Sequence, residues 1–143
     1  MDLETKIDLL ANTPLFSSFT RRELSKVAKL FFERSYPKGA TIFREGEEGD
    51  RFCVVASGEL EVWAGTDDPQ LLNRLGPGEV LGEMALLSGG TRSATVKAAR
   101  LVELLELDRE SFNRFFASNA KVLSYFSTLL TRRLAAAHRG EVR

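Results

Sequence analysis

The residues best suited to chemistry lie in one stretch, Leu75 to Ala98, which reads LGPGEVLGEMALLSGGTRSATVKA. Gly82 opens a run of helix-forming residues, Glu83-Met84-Ala85-Leu86-Leu87, that is too short for a structural helix. It fits a single helical turn lodged between two strands, with its first amides free. Such amides converge on an anion, and the peptide dipoles favour negative charge there. Arg92 follows five residues after Leu87, and a guanidinium fork matches phosphate oxygens two at a time. The pair Gly89-Gly90 lets the intervening loop approach a ligand closely. Glu83 is an acceptor-only group. Its natural partner is a neutral hydroxyl pair, such as a ribose edge, rather than the phosphate. Amides and an arginine for phosphate, with a carboxylate for ribose, amount to a nucleotide pocket. Taken singly, the same residues also fit a turn with a surface ion pair.

Counting residues removes other chemistries. The 143-residue chain has one His and one Cys, His138 and Cys53. A zinc site needs about three or four ligands of these kinds. A histidine-based triad would have only His138, near the end of the sequence. Lone Cys53 excludes an internal disulfide and reads as a reduced core residue. Lys+Arg and Asp+Glu number 20 each, so the net charge is zero and no global field draws nucleic acid or anionic lipid. The longest apolar run, Phe52 to Ala56, falls far short of the roughly twenty residues of a membrane span. The charged N-terminus carries no signal-peptide pattern. A soluble, cytoplasmic protein is expected. No nucleophile–base pair or P-loop is visible, and Gly76-Pro77-Gly78 is a turn rather than a dinucleotide fingerprint. The chain therefore reads as a binding protein, not an enzyme, with no cofactor.

The elements that must position these residues follow from glycine and periodicity. Ten of the eleven glycines lie between Gly39 and Gly90, while residues 1–35 and 108–139 contain none. Glycine at short intervals marks turns, and Glu59-Leu60-Glu61-Val62-Trp63 alternates as a half-buried strand does. The predicted strands are Ala40–Phe43, Phe52–Ser57, Glu59–Ala64, Leu71–Leu75, Val80–Leu81, Arg92–Ala98 and Arg100–Leu107. The flanks read as helices. Leu3 to Ala11 is a short one ended by Asn12-Thr13-Pro14. Thr20-Arg21-Arg22-Glu23 is a capping box before Leu24, Val27, Ala28 and Phe31. Asp108 caps a helix with Phe112, Phe115 and Phe116 inside, and Ser118 or Asn119 starts a last helix to about Ala137. The apolar positions of that last helix, Val122, Leu123, Tyr125, Phe126, Leu129, Leu130 and Leu134, form a broader band than one core-facing stripe needs. A second copy or a downstream domain is expected on the surplus face; folding back of both faces onto the strands, which read as a β-barrel or sandwich-like roll, is the alternative. The organisation expected is one domain: a helical segment at 1–35, strands at 36–107 and closing helices at 108–138.

Gly-Glu-Met-Ala-Leu-Leu followed by Thr-Arg-Ser-Ala-Thr-Val resembles the phosphate-binding cassette of cyclic nucleotide-binding domains. That family includes regulatory subunits of cAMP-dependent kinase, cyclic-nucleotide-gated channels and bacterial catabolite activators. Pro14-Leu15-Phe16 with Leu24, Pro37-Lys38-Gly39, Ile42-Phe43-Arg44-Glu45-Gly46-Glu47-Glu48-Gly49-Asp50 and Ser57-Gly58-Glu59-Leu60 occur in family order, so the resemblance spans residues 14 to about 130. It implies an α+β, mainly β fold: an eight-stranded β-roll of double-stranded β-helix or jelly-roll type, with N-terminal and C-terminal helices and the cassette at 81–94.

The resemblance also implies roles. Gly82 and Glu83 face the ribose, Glu83 accepting from the 2′-hydroxyl. The Ala85 amide donates to a phosphate oxygen, Arg92 pairs with the cyclic phosphate and Ser93 assists, with Met84 and Ala94 completing the ligand-contacting stretch. Asp50 orients Arg92. Leu81 stands where the family usually has Phe, and Thr91 where it often has Pro. Ser93 permits cAMP or cGMP, and cAMP is the expected ligand. Val122, Tyr125, Phe126 or Leu129 is expected to cover the base, with Ser124 or Thr128 at its edge. Nucleotide binding would favour a closed position of the last helix. The partners expected are the cyclic nucleotide, a second copy through the last helix and an effector domain beyond this sequence, with no membrane span and no nucleic acid. The alternatives are a degenerate β-roll used for assembly and a cupin-like barrel enzyme, the latter short of histidine.

Overall fold

The computed structural model describes residues 1–83, 91–116 and 119–138. Helix α1 (Leu3–Ala11), a 3-10 turn (Pro14–Phe16) and α2 (Arg21–Ala28) lead into eight described strands. These are β1 (Phe32–Tyr36), β2 (Thr41–Phe43), β3 (Arg51–Ser57), β4 (Leu60–Ala64), β5 (Gln70–Leu75), β6 (Val80–Leu81), β7 (Thr95–Ala98) and β8 (Val102–Asp108). Helices α3 (Arg109–Phe115) and α4 (Ala120–His138) follow. The strands form two four-stranded sheets, ordered β1-β8-β3-β6 and β2-β7-β4-β5, with antiparallel pairing throughout. This is the expected roll.

Side-chain alternation on β3 and β8 makes two cores from one sheet. Cys53, Val55, Val102 and Leu104 point into the roll with Ile42, Phe43, Leu60 and Val96. Phe52, Val54, Leu105 and Leu107 point the other way, onto the helices. The unbroken run Phe52 to Ala56 thus reflects a strand covered on both faces. Gly58 makes the β3–β4 hairpin at φ +90°, where a Cβ would lie 2.7 Å from the Val102 side chain.

The helices start where their caps dictate. The capping box closes in both directions, Thr20 Oγ1 accepting from the Glu23 amide and Glu23 from the Thr20 amide. Asp108 accepts from the Ser111 amide, and Asn119 Oδ1 from the amides of Lys121 and Val122. Lys121 also donates to Glu23 at 2.7 Å, which ties α4 to α2 and holds the Glu23 carboxyl down at about 2. Val122 and Phe126 bury α4 against the helical core, Phe126 meeting Phe112 edge-on at 5.8 Å. Each buried phenyl contributes roughly 1.5–3 kcal/mol.

Three strand predictions need correction. Strand β1 lies inside the stretch read as helical flank. β7 begins at Thr95 rather than Arg92, and β8 at Val102 rather than Arg100. Among the described residues no helix is long and apolar enough to cross a membrane.

Candidate functional site

Arg92 is set by a loop held against it on both sides. The Gly46 amide donates to the Arg92 carbonyl at 2.9 Å, and the Arg92 amide to the Glu47 carbonyl at 2.7 Å. Glu48 and Thr91 form a bridge beside them. These bonds fix the Arg92 backbone outside the β7 ladder and aim its side chain inward. The residue is 8% exposed. Its Nη2 donates to the Arg51 carbonyl at 2.9 Å, and its guanidinium carbon sits 3.5 Å from the centre of the Phe43 ring. Burial lowers its pKa; Cys53 and Asp50 oppose that shift, while the nearby cations Arg51 and Arg109 reinforce it. A buried cation in that position gains strongly from an incoming anion.

Asp50, expected to orient Arg92, stands with Oδ1 3.9 Å from Nη2 and with its side chain 70% exposed. That is an ion-pair distance, not a hydrogen bond. The close acceptor is instead the Arg51 main-chain carbonyl.

Gly82 and Glu83 follow β6, and Gly82 reaches the same place. Gly82 has φ +81°, and a Cβ there would lie 2.6 Å from both the Arg51 carbonyl oxygen and Arg92 Nη1. Only a residue without a side chain lets the three segments meet. Glu83 is half-buried and its Oε2 accepts the Tyr125 hydroxyl of α4 at 2.9 Å. Tyr125 packs edge-on against Phe126 and lines a groove of about 460 Å³ between α4 and the Pro14–Phe16 turn. The last helix therefore touches the carboxylate expected to hold ribose. Ser93 is exposed and Ala94 partly buried. Met84 and Ala85, with the helical turn expected after Gly82, lie outside the described residues.

The structure adds residues that side-chain spacing did not single out. Phe43 supports Arg92. Arg51 supplies its acceptor and lies with its own guanidinium carbon 5.0 Å from the Phe43 centroid. Arg109 donates to the Gly49 carbonyl and faces Glu48 at 3.8 Å. Glu106 is wholly buried on β8. Its signal in the sequence was a charged residue in phase with inward-facing Val102 and Leu104. Among the described residues no group of His, Cys, Asp and Glu could hold a metal ion.

Comparison with known proteins agrees with this geometry. The family model for the cyclic nucleotide-binding domain matches residues 33–119. The chain is 42% identical over 130 residues to the cyclic nucleotide-gated potassium channel mll3241 of Mesorhizobium japonicum, covering 90% of this chain and 35% of the channel. It is 35% identical over 130 residues to the cyclic AMP receptor protein of Thermus thermophilus, covering 90% of this chain and 60% of that protein. The crystal structure of Thermus thermophilus catabolite activator protein superposes with TM-score 0.80 at 35% identity, over 90% of this chain and 61% of the other. The chain thus spans between about a third and three fifths of these relatives' lengths. A family match over most of the sequence, on a roll that brings Arg92 against Gly82, settles the family: the chain belongs to the cyclic nucleotide-binding domains.

Proposed function

We propose that the chain is a cyclic-nucleotide sensor module that binds without transforming its ligand and reports occupancy through α4. Residues 36–107, with the cassette at 81–94, take the nucleotide, and residues 108–138 respond to it. The observation that carries the reading is the close approach of buried Arg92 to Gly82, with the carboxylate of the next residue, Glu83, bonded to Tyr125 of the last helix. In this reading Arg92 pairs with the cyclic phosphate, assisted by Ser93 and the Ala85 amide. Glu83 accepts the ribose 2′-hydroxyl, and Asp50 faces Arg92 at ion-pair distance from the solvent side. Met84 and Ala94 flank the ligand. cAMP is the ligand proposed, and Ser93 also permits cGMP. The ligand shifts α4 only by its difference in affinity between two helix positions. The Tyr125–Glu83 bond is a contact of the closed one.

The ribose role is tested by comparing cAMP with 2′-deoxy-cAMP. Glu83→Ala is expected to weaken cAMP about tenfold or more, as for a hydrogen bond to a charged group. It should also erase the preference over the deoxy ligand. Tyr125→Phe keeps the ring and removes the donor, and should weaken cAMP about three- to tenfold. Unchanged cAMP affinity in Glu83→Ala removes Glu83 from the ribose; unchanged affinity in Tyr125→Phe uncouples α4 from the ligand.

A second copy is proposed on the outer face of α4. Leu123 and Leu130 are 44% and 40% exposed there, on the flank beside the buried stripe of Val122 and Phe126. With Ser127 between them they follow the alternating four- and three-residue spacing of a coiled-coil seam, which Leu134 and Ala137 continue in the sequence. An effector domain beyond this sequence would read the same helix. Sedimentation at low and high micromolar concentration should show concentration-dependent dimer that Leu123→Arg abolishes. A monomer at both concentrations would sink the dimer.

A further inference from the structure

Arg92 and Glu106 are the charged side chains that the described residues bury. Glu106 points into the roll from β8, where its Oε2 accepts the Tyr36 hydroxyl at 2.9 Å. That contact and burial push Tyr36 up to about 12, burial contributing most. The other oxygen, Oε1, lies 3.3 Å from Arg51 Nε and 3.8 Å from Arg34 Nη1. Neither Glu106 Oε1 nor Arg51 Nε completes a hydrogen bond, although both atoms are buried. Such a pair is a poor device for stability, because desolvating two charges offsets most of their attraction. Its geometry has another use.

Arg51 belongs to β3 in one sheet, and its Nη2 donates at 2.9 Å to the carbonyl of Ile42 on β2, in the other sheet. The residue after Ile42 is Phe43, whose ring carries the Arg92 guanidinium. The Arg51 main-chain carbonyl is the hydrogen-bond acceptor of that same guanidinium. The two supports of Arg92 thus come from opposite sheets, and the side chain that spans between them is Arg51, with Glu106 behind it.

We infer that the Arg51–Glu106 pair is a positioning device for Arg92, setting the spacing of β2 and β3 at which the Arg92 guanidinium meets the ligand phosphate. The inference rests on the cyclic-nucleotide reading above. Arg51 and Glu106 act through Arg92 and need not touch the ligand.

A double-substitution cycle on the full chain tests it, with cAMP affinity read by calorimetry or, where weak, by NMR titration. Arg51→Met is expected to weaken cAMP about tenfold, a typical coupling between residues in contact. In an Arg92→Ala background the same change should matter less than about twofold. The ratio of cAMP to 2′-deoxy-cAMP affinity, which reads Glu83, should be unchanged by Arg51→Met. Glu106→Gln preserves shape and should weaken cAMP through Arg92 in the same way; it replaces Arg51→Met in the cycle if that protein does not fold. Losses that add fully to Arg92→Ala, or no loss in a folded Arg51→Met or Glu106→Gln protein, overturn the inference. A native chain that binds no cyclic nucleotide overturns the underlying reading instead, and shows itself before any substitution is made.

Discussion

Replacing Arg92 by alanine is expected to lower cyclic-nucleotide affinity about a hundredfold or more while leaving the unliganded fold almost as stable as before. The first half follows from what the guanidinium is placed to do. Truncating one member of a buried charge pair costs about 2–5 kcal/mol, because the remaining charge, here the phosphate, is left desolvated without its partner. Nearby Arg51 is engaged with Ile42 and Glu106, and Arg109 with Gly49 and Glu48, so neither replaces it. The second half follows from the burial of the Arg92 cation. Its pKa is lowered by burial, with Arg51 and Arg109 adding to the shift. The fold therefore holds this charge at a cost. Alanine loses the contact with Phe43 and the bond to the Arg51 carbonyl, but it also removes the buried cation. The net change in thermal midpoint is expected within about 5 °C. Calorimetry with cAMP and a melting curve on the same sample check both. Native-like affinity, or loss of binding only through unfolding, would make Arg92 a structural residue.

The Gly82→Ala substitution is expected to damage both binding and folding. Alanine at φ +81° costs about 1–2 kcal/mol from the backbone alone. The new methyl would lie 2.6 Å from the Arg51 carbonyl oxygen and from Arg92 Nη1. The first belongs to the first residue of β3 and is anchored by pairing with β8. The second is the end of a side chain. The guanidinium is therefore what moves, and it leaves the Arg51 carbonyl and the Phe43 face. Chemical denaturation should show a loss of about 1–3 kcal/mol. cAMP affinity should fall about as far as for Arg92→Ala, some hundredfold. A Gly82→Ala protein that binds like the native one would show that the three segments need not meet for binding.

What could be read from the sequence follows from how much of it was side-chain pattern. Thr20 with Glu23, and Asp108 with Ser111, are local arrangements, and both caps form as spaced. Glycines bracketed most strands because turns need them. β1 escaped notice for a physical reason. Phe32, Glu33, Arg34 and Ser35 are all exposed, and the strand is held by its ladder to β8 rather than by an apolar face. A strand without a buried stripe has no period to detect. By its pattern Arg92 opens β7, yet its backbone bonds go to Gly46 and Glu47, partners about 45 residues back in the chain that no local pattern announces.

The site divides in the same way. Glu83 and Arg92 stand out in the sequence because the chemistry proposed for them is in the side chain. The acceptor that holds Arg92 could not, because it is the main-chain oxygen of Arg51, and every residue has one. Asp50 was the visible carboxylate nearby, but it stands off at 3.9 Å in solvent. Glu106 carried a signal of a different kind. A charge inside the apolar strand Val102–Asp108 invites a partner, and the fold supplies Arg51 and Tyr36 from two other strands.

The central claim is that this chain binds a cyclic nucleotide at Arg92 and Glu83. Titration calorimetry of the whole chain with cAMP, and separately with cGMP, tests it most directly. The account predicts saturable binding of cAMP at one nucleotide per chain, tighter than cGMP. Absence of binding by both nucleotides at millimolar concentration would contradict it and leave the roll as an assembly domain.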